Sequence, residues 1–468
     1  ESYAYEFLLD VQGIMERQET IQANEQKGNG KGKGGNSAVE TLKLGVAETG
    51  VQFASVAELA EAFDESANKV GNWLKQGKFE LKRNGEDVAW FDTGDGLLFY
   101  GEAPDNTWST EAMYWLTANT SGQTMAEAQL SNGSTASSVY LSTVHTEQDN
   151  TPVLEMNHQQ TDDYWYWSSI ATVSGYDAIT HAVQSPGSLA EQAMLTVAVQ
   201  GYTEVQHEVE VSLGSDVIGT MLFTGQERAS ESFAVPAGKM GGDTLDVTLR
   251  TTGAFGYSSL FIEHFDLTYI RSHAAVAGEL AFGQDSSEAV HLTGLSEIEG
   301  LAVLDISSPL APRWLDGGEF NAGAFEAAFD AGEFFAANSS AWNSVSMTPV
   351  TEKVNIHSGT EYLVIAPEEL MEGAQALVDY RSGELGTQLV SLESVYDHTS
   401  FGEPDPRSIR NYLLGSSNRP QYVVMVGDGA YDYKDQFGTG YNILSPMLVD
   451  GGRFGLVIGD TLVGDMDG

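Results

Sequence analysis

The residues best equipped for chemistry stand together in "RPQYVVMVGDGAYDYKD", Arg419 to Asp435. The apolar run Tyr422 to Val426 reads as a buried strand that breaks at Gly427. Asp428, Asp432 and Asp435 follow within eight residues. Carboxylates crowded on a short loop could hold a hard cation such as calcium, here through Asp428 and Asp432. Their spacing fits no standard calcium loop, and closing turns or capping a loop uses the same residues without a metal. The plainer use is favoured. The chain has no cysteine, so its 468 residues hold no disulfide, no thiolate metal site and no cysteine nucleophile. Neither G-x-S-x-G nor H-E-x-x-H occurs, so serine hydrolase and zinc peptidase chemistry lack support.

Elements placing Asp428 follow from the pattern after Val354. "YLVIA" reads as a buried strand ended by Pro367. In "EELMEGAQALVDYRS", Leu370, Ala374, Leu377 and Val378 fall on one helical face. "TQLVSL" is a second strand. "DPRSIRNYLL" reads as a helix with Asp405 as N-cap and Pro406 at its first position. "YVVMV" is the third strand. Alternating strands and helices imply a parallel sheet over 354–468, with ligands bound beyond the carboxyl ends of its strands. Asp428 belongs to that edge.

Upstream the pattern is mostly β. Residues 1–38 end in the low-complexity linker "NEQKGNGKGKGGNS", Asn24 to Ser37. Its glycines match G-x-G-x-x-G at Gly30, Gly32 and Gly35, but no strand precedes them, so no nucleotide site is expected. Residues 39–150 read as a small mixed α/β domain with one helix, "SVAELAEAF", capped by Ser55 and packed through Val56, Leu59, Ala60 and Phe63. Over 151–272 the period is two. Val209, Val211 and Leu213 share a face, as do Leu245, Val247 and Leu249, and Phe265, Leu267 and Tyr269. That is the pattern of a β-sandwich or jelly roll. Its opening "DDYWYW", Asp162 to Trp167, is either a sugar-stacking platform or a strand with one core side and one rim side. Residues 273–353 read as a β-rich connecting region, with "GLAVLDISSPLAPRWL" as strand, turn and strand.

Acids outnumber bases 67 to 22, a net charge of −45, which repels phosphate backbones and excludes nucleic acid as a partner. Such a surface suits salty water outside a marine or halophilic cell. No apolar run is long enough for a transmembrane segment, and "YEFLLDVQGIM" is too short for a secretion signal. The chain opens at Glu1 and stops within "VGDMDG", as a processed or truncated piece would.

From Tyr362 onward the sequence resembles the gingipain family of cysteine peptidases. Tyr396, Asp397, Phe401, Gly402, Pro404, Asp405, Ile409 and Arg410 match its "VYDxFSxGxPDPxAIRxFL" segment. Gly427, Asp428, Tyr431 and Asp432 match its "LLVGDxxYD" strand end. Upstream, "LKLGVAETGVQF", "FDLTYIR" and "LAVLDISSPLAP" resemble other family segments more loosely. The resemblance implies a caspase-like α/β domain, truncated at its C-terminus, behind a β-rich N-terminal region with a jelly-roll-like sandwich. It also implies a Cys–His pair acting on protein or peptide substrates. The family carries its histidine in an "HG" motif; none of the nine histidines here precedes glycine, so both catalytic residues are expected beyond Gly468 or absent. No catalytic residue is expected within the 468 residues, and the chain alone is expected to be inactive. "GDMDG" resembles the start of a family loop that can bind calcium, making Asp465 and Asp467 candidate ligands for a structural calcium.

The family includes the sortase of the type IX secretion system, so sortase and secreted protease both stay open, with type IX machinery as a partner and the outer surface of a bacterium as location. The alternative is a non-catalytic surface protein whose sandwich binds carbohydrate or protein beside a degenerate peptidase domain. A receiver domain, with Glu368, Glu369 and Asp428 as its acidic pocket, fits poorly because the spacing is too long.

Overall fold

The computed structural model describes residues 39–131, 136–157, 162–253, 255–298, 300–459 and 461–464. The expected linker, its glycine pattern, Asp465 and Asp467 lie outside them.

The first helix, Val56–Ala62, starts where Ser55 directs it. The Ser55 hydroxyl accepts the Glu58 N–H at 3.2 Å, and the Glu58 carboxylate accepts the Ser55 N–H at 2.9 Å. This reciprocal pair satisfies two donors the first turn would leave open. A second helix, Ala67–Lys75, follows where only one was expected. Val70 and Leu74 are its only buried side chains, too few among polar neighbours to declare a helix in the sequence.

Distant segments share sheets. Thr41–Val46 lies between Ala112–Ala118 and the returning Ser346–Pro349. Arg313–Gly317 pairs in parallel with Ala126–Leu130, and Glu288–Leu292 with Ala136–Ser137. Gly50–Ser55 takes Asn343–Ser344 as a parallel neighbour. The stretches read as a small domain and a connecting region are thus interleaved across four sheets. "LAVLDISSPLAPRWL" forms the antiparallel pair Leu301–Asp305 and Arg313–Gly317.

Two antiparallel sheets close over the next core. One carries Val139–Glu147, Ser259–Ser272, Ala193–Gly201 and Arg228–Val235; the other carries Ala178–Gln184, Thr244–Thr251, Gln206–Leu213 and Asp216–Thr224. Val211, Val247 and Leu267 are fully buried between them. Alternation forces this, since one face of each strand must leave water.

His273 follows directly on the long strand Ser259–Ser272, stacked on Tyr140 at 4.7 Å and edge-on to Phe282 at 5.2 Å. Burial pushes its imidazole down to about 4, because the apolar surroundings reject the charged form. A neutral folded His273 contributes stability fully above pH 6.5, and that contribution is lost as pH falls toward 4. About 3 kcal/mol should disappear across this window. Denaturant unfolding of the wild-type chain and of His273→Phe at pH 7 and 4.5 checks it. The variant should lose less stability on acidification; equal losses would refute the assignment.

The last region holds a three-stranded parallel sheet, ordered Thr387–Ser391, Tyr362–Ala366, Tyr422–Met425. Helix Met371–Arg381 buries Ala374 and Val378 against it. Three details differ from expectation. Helix Leu392–Thr399, capped by Ser391, follows the second strand directly. The next helix spans Ser408–Gly415 and begins after Arg407 rather than Asp405. The Asp405 carboxylate instead accepts the Arg407 N–H at 2.8 Å and grips its guanidinium, holding a turn ahead of the helix. Finally, Tyr422–Met425 is only partly buried, with Tyr422 54% exposed, because it is an edge strand.

Candidate functional site

The carboxyl ends of the parallel strands meet a loop built by the three aspartates. Gly427 makes the exit from the strand at φ +146°, where a Cβ would stand 3.0 Å from that of Leu444. The Asp428 carbonyl accepts the Ile443 and Leu444 N–H groups at 3.0 and 2.9 Å, and its exposed carboxylate accepts the Gly429 N–H. Asp432 is buried, one oxygen accepting from Gln436 N–H at 2.8 Å and the other from Phe437 N–H at 2.9 Å. Asp435 accepts the Thr439 and Gly440 N–H groups, and these donors hold its carboxyl below the ordinary range. All three acids fold the loop. Beside Asp428 lies a hollow of about 180 Å³ between Gly427, Leu444 and Pro446. Neither Asp428 nor Asp432 joins any group of three converging ligand residues among the described residues.

The residues of the "VYD…PDP" stretch are spent on docking. Asp397 is buried, with one oxygen 2.5 Å from Lys43 Nζ and the other accepting the Thr351 N–H at 2.8 Å and hydroxyl at 2.7 Å. Gly402, at φ +95°, passes so close that a Cβ would lie 2.7 Å from Lys43 Cδ. Trp115 donates its indole N–H to the Phe401 carbonyl at 2.7 Å. Glu403 takes Arg83 at 2.7 Å. Tyr396 faces the other way, toward Ser445, and burial lifts its phenol to about 12. This segment therefore joins the parallel sheet to the first β region.

A second seam uses "DDYWYW". Tyr164, Trp165, Tyr166 and Trp167 are all buried. Tyr164 donates its hydroxyl to the Tyr431 carbonyl, and Trp165 packs with Phe437, Tyr433, Leu448 and Leu456. The strand was expected to keep a rim side, but the C-terminal region covers it. Among the described residues, none of these four rings lies open to solvent.

Residues 356–468 match the model of peptidase family C25. The C25 segment begins just before the first parallel strand and includes the whole aspartate loop. The residues that resemble the family's motifs thus divide between the loop at the strand ends and the seam to Lys43. No curated protein matches the chain. Over 92% of the chain, the fold is similar to dimeric latent PorU from Porphyromonas gingivalis, with a TM-score of 0.64 and 14% identity. The chain spans 46% of that protein's length. Likenesses to a CBM36 domain of a xylanase from the Trinervitermes trinervoides hindgut metagenome and to the CBM6 of a Zobellia galactanivorans laminarinase cover 27% of this chain and 96% and 99% of those chains. Their TM-scores are 0.17, at 12% and 13% identity.

The sequence did not announce the role of Lys43, a lysine in the apolar strand "TLKLGV", nor the cluster around His145, whose members lie on strands far apart in the chain. Alternation puts Lys43 on the face opposite the core residues Leu42, Leu44 and Val46, so nothing local marks it for burial.

Proposed function

We propose that this chain is the front part of a secreted or cell-surface cysteine endopeptidase of the C25 type, with a caspase-like peptidase domain carried on a β-rich scaffold. The supporting observation is that the family-matched segment presents the carboxyl edge of a parallel sheet while its motif residues fasten that sheet to the scaffold. In this reading the Cys–His pair is supplied from outside residues 1–468. A thiolate beside an imidazole would attack the scissile carbonyl, with donors for the developing oxyanion. This chain's own part is positional: Gly427, Asp428 and Asp432 shape the loop bordering the substrate, and Lys43 with Asp397 keeps the sheet from shifting. A structural calcium would be held by Asp465 and Asp467 with further oxygens from outside the chain. Type IX secretion machinery is the partner the family resemblance implies.

The test uses broad peptide libraries and two proteins: this chain, and one extended through the next His-Gly motif and cysteine. The short chain should cleave nothing, and the long one should cleave and lose activity on thiol alkylation. Cleavage by the short chain that resists thiol reagents would overturn the reading, as would an inactive long chain.

A further inference from the structure

We infer that His145, Glu147 and His264 form a binding site for one divalent transition-metal ion of the zinc class. The site is built by register. Val139–Glu147 and Ser259–Ser272 run antiparallel, with His145 opposite Asp266 and Glu147 opposite His264. Phe265 and Leu267 point into the sandwich core, so the alternating residues His264 and Asp266 must point outward. Two imidazoles and two carboxylates therefore occupy one small patch of sheet, at the end of the ladder.

The geometry suits coordination. One ligand atom each from His145, Glu147 and His264 lies within 4.8 Å of the others. His145 Nε2 and Glu147 Oε2 are 2.9 Å apart. Donors sharing one ion at about 2.0–2.1 Å each sit roughly 3 Å from each other, so these two need scarcely move. The other ring nitrogen, His145 Nδ1, is 2.8 Å from Asp266 Oδ1. That is the supporting carboxylate which fixes the tautomer and aim of a metal-bound histidine. Imidazole donors favour zinc, copper or nickel, whereas calcium and magnesium take oxygen.

Ordinary cross-strand ion pairing accounts for His145 with Asp266, but it leaves a remainder. The second oxygen of Glu147, Oε1, is buried with no hydrogen-bond partner. Glu147 also crowds Asp149 and Asp163, one carboxylate oxygen of each lying within 4.8 Å of the others. A cation on Glu147 answers both conditions. Three protein ligands leave further positions open toward a cleft of about 400 Å³ bordered by Trp108, Asp149, Asp163 and Lys434. None of this depends on the peptidase reading, since cysteine peptidase chemistry needs no metal.

The experiment strips the whole chain with chelator and titrates zinc against millimolar calcium, which occupies the loose acidic sites of so negative a surface. One zinc per chain should bind. His145→Gln and His264→Gln should each abolish binding, with metal-free unfolding midpoints near wild type. Asp266→Asn should keep the stoichiometry and weaken binding about 10–100-fold. In the unmodified protein, zinc should shield His145 and His264, out of nine histidines, from carbethoxylation mapped by mass spectrometry. Absence of stoichiometric zinc, zinc binding indifferent to both histidine replacements, or no shielding of these two histidines would overturn the site.

Discussion

Asp397→Ala should destabilise the protein by about 3–5 kcal/mol, the usual consequence of removing one partner from a buried ion pair. The Asp397 side chain is fully buried and that of Lys43 is 11% exposed, so the ammonium left behind has little water to turn to. The same replacement also leaves the Thr351 N–H and hydroxyl without their acceptor. Asp397→Asn keeps the shape and one acceptor oxygen and should cost less. The pair itself is not a large net gain, because drawing two charges out of water offsets much of their attraction. Lys43→Met combined with Asp397→Leu should therefore recover a good part of the loss. Urea unfolding of the single and double variants gives the coupling energy directly. A loss below about 1 kcal/mol for Asp397→Ala would mean that the seam does not depend on this pair.

Trp165→Ala should cost a similar amount, about 3–5 kcal/mol, for a different reason: a large buried side chain leaves a cavity that its surroundings fill only in part. Trp165 is 4% exposed and packs 5.5 Å from the Phe437 ring, within a cluster that includes Leu448 and Leu456. The damage should be local. Hydrogen exchange should rise across the aspartate loop and through residues 448–458 while the Gln206–Leu213 strand keeps its protection. Uniform loosening of both regions would show that the aromatic strand supports the sandwich rather than the loop.

These two side chains also mark where reading the sequence stops. Period-two alternation places Val211, Val247 and Leu267 inside, because a one-residue slip would turn every apolar group to solvent. The three parallel strands are equally legible as short apolar runs between helices. Lys43 and Trp165 are not, since their surroundings come from segments hundreds of residues away and no local period encodes them. Helix Leu392–Thr399 was hidden for a local reason: it starts directly at the end of a strand, so the two patterns merge. At the aspartate loop the sequence marks Asp428, Asp432 and Asp435, and the structure shows all three carboxylates accepting backbone N–H groups.

The exposed position of Tyr422–Met425 bears on how the protein behaves in company. A strand at the rim of a sheet offers a row of amide donors and carbonyl acceptors that any extended chain can zip onto. Tyr422, 54% exposed, would give such an adduct an apolar contact as well. Two copies approaching through these rims bring together two surfaces from chains of net charge −45 each, and like charge opposes the encounter. Salt shortens the reach of that repulsion. The acidity that reads at first as mere solubility thus also guards an open sheet edge, and does so most strongly in dilute buffer.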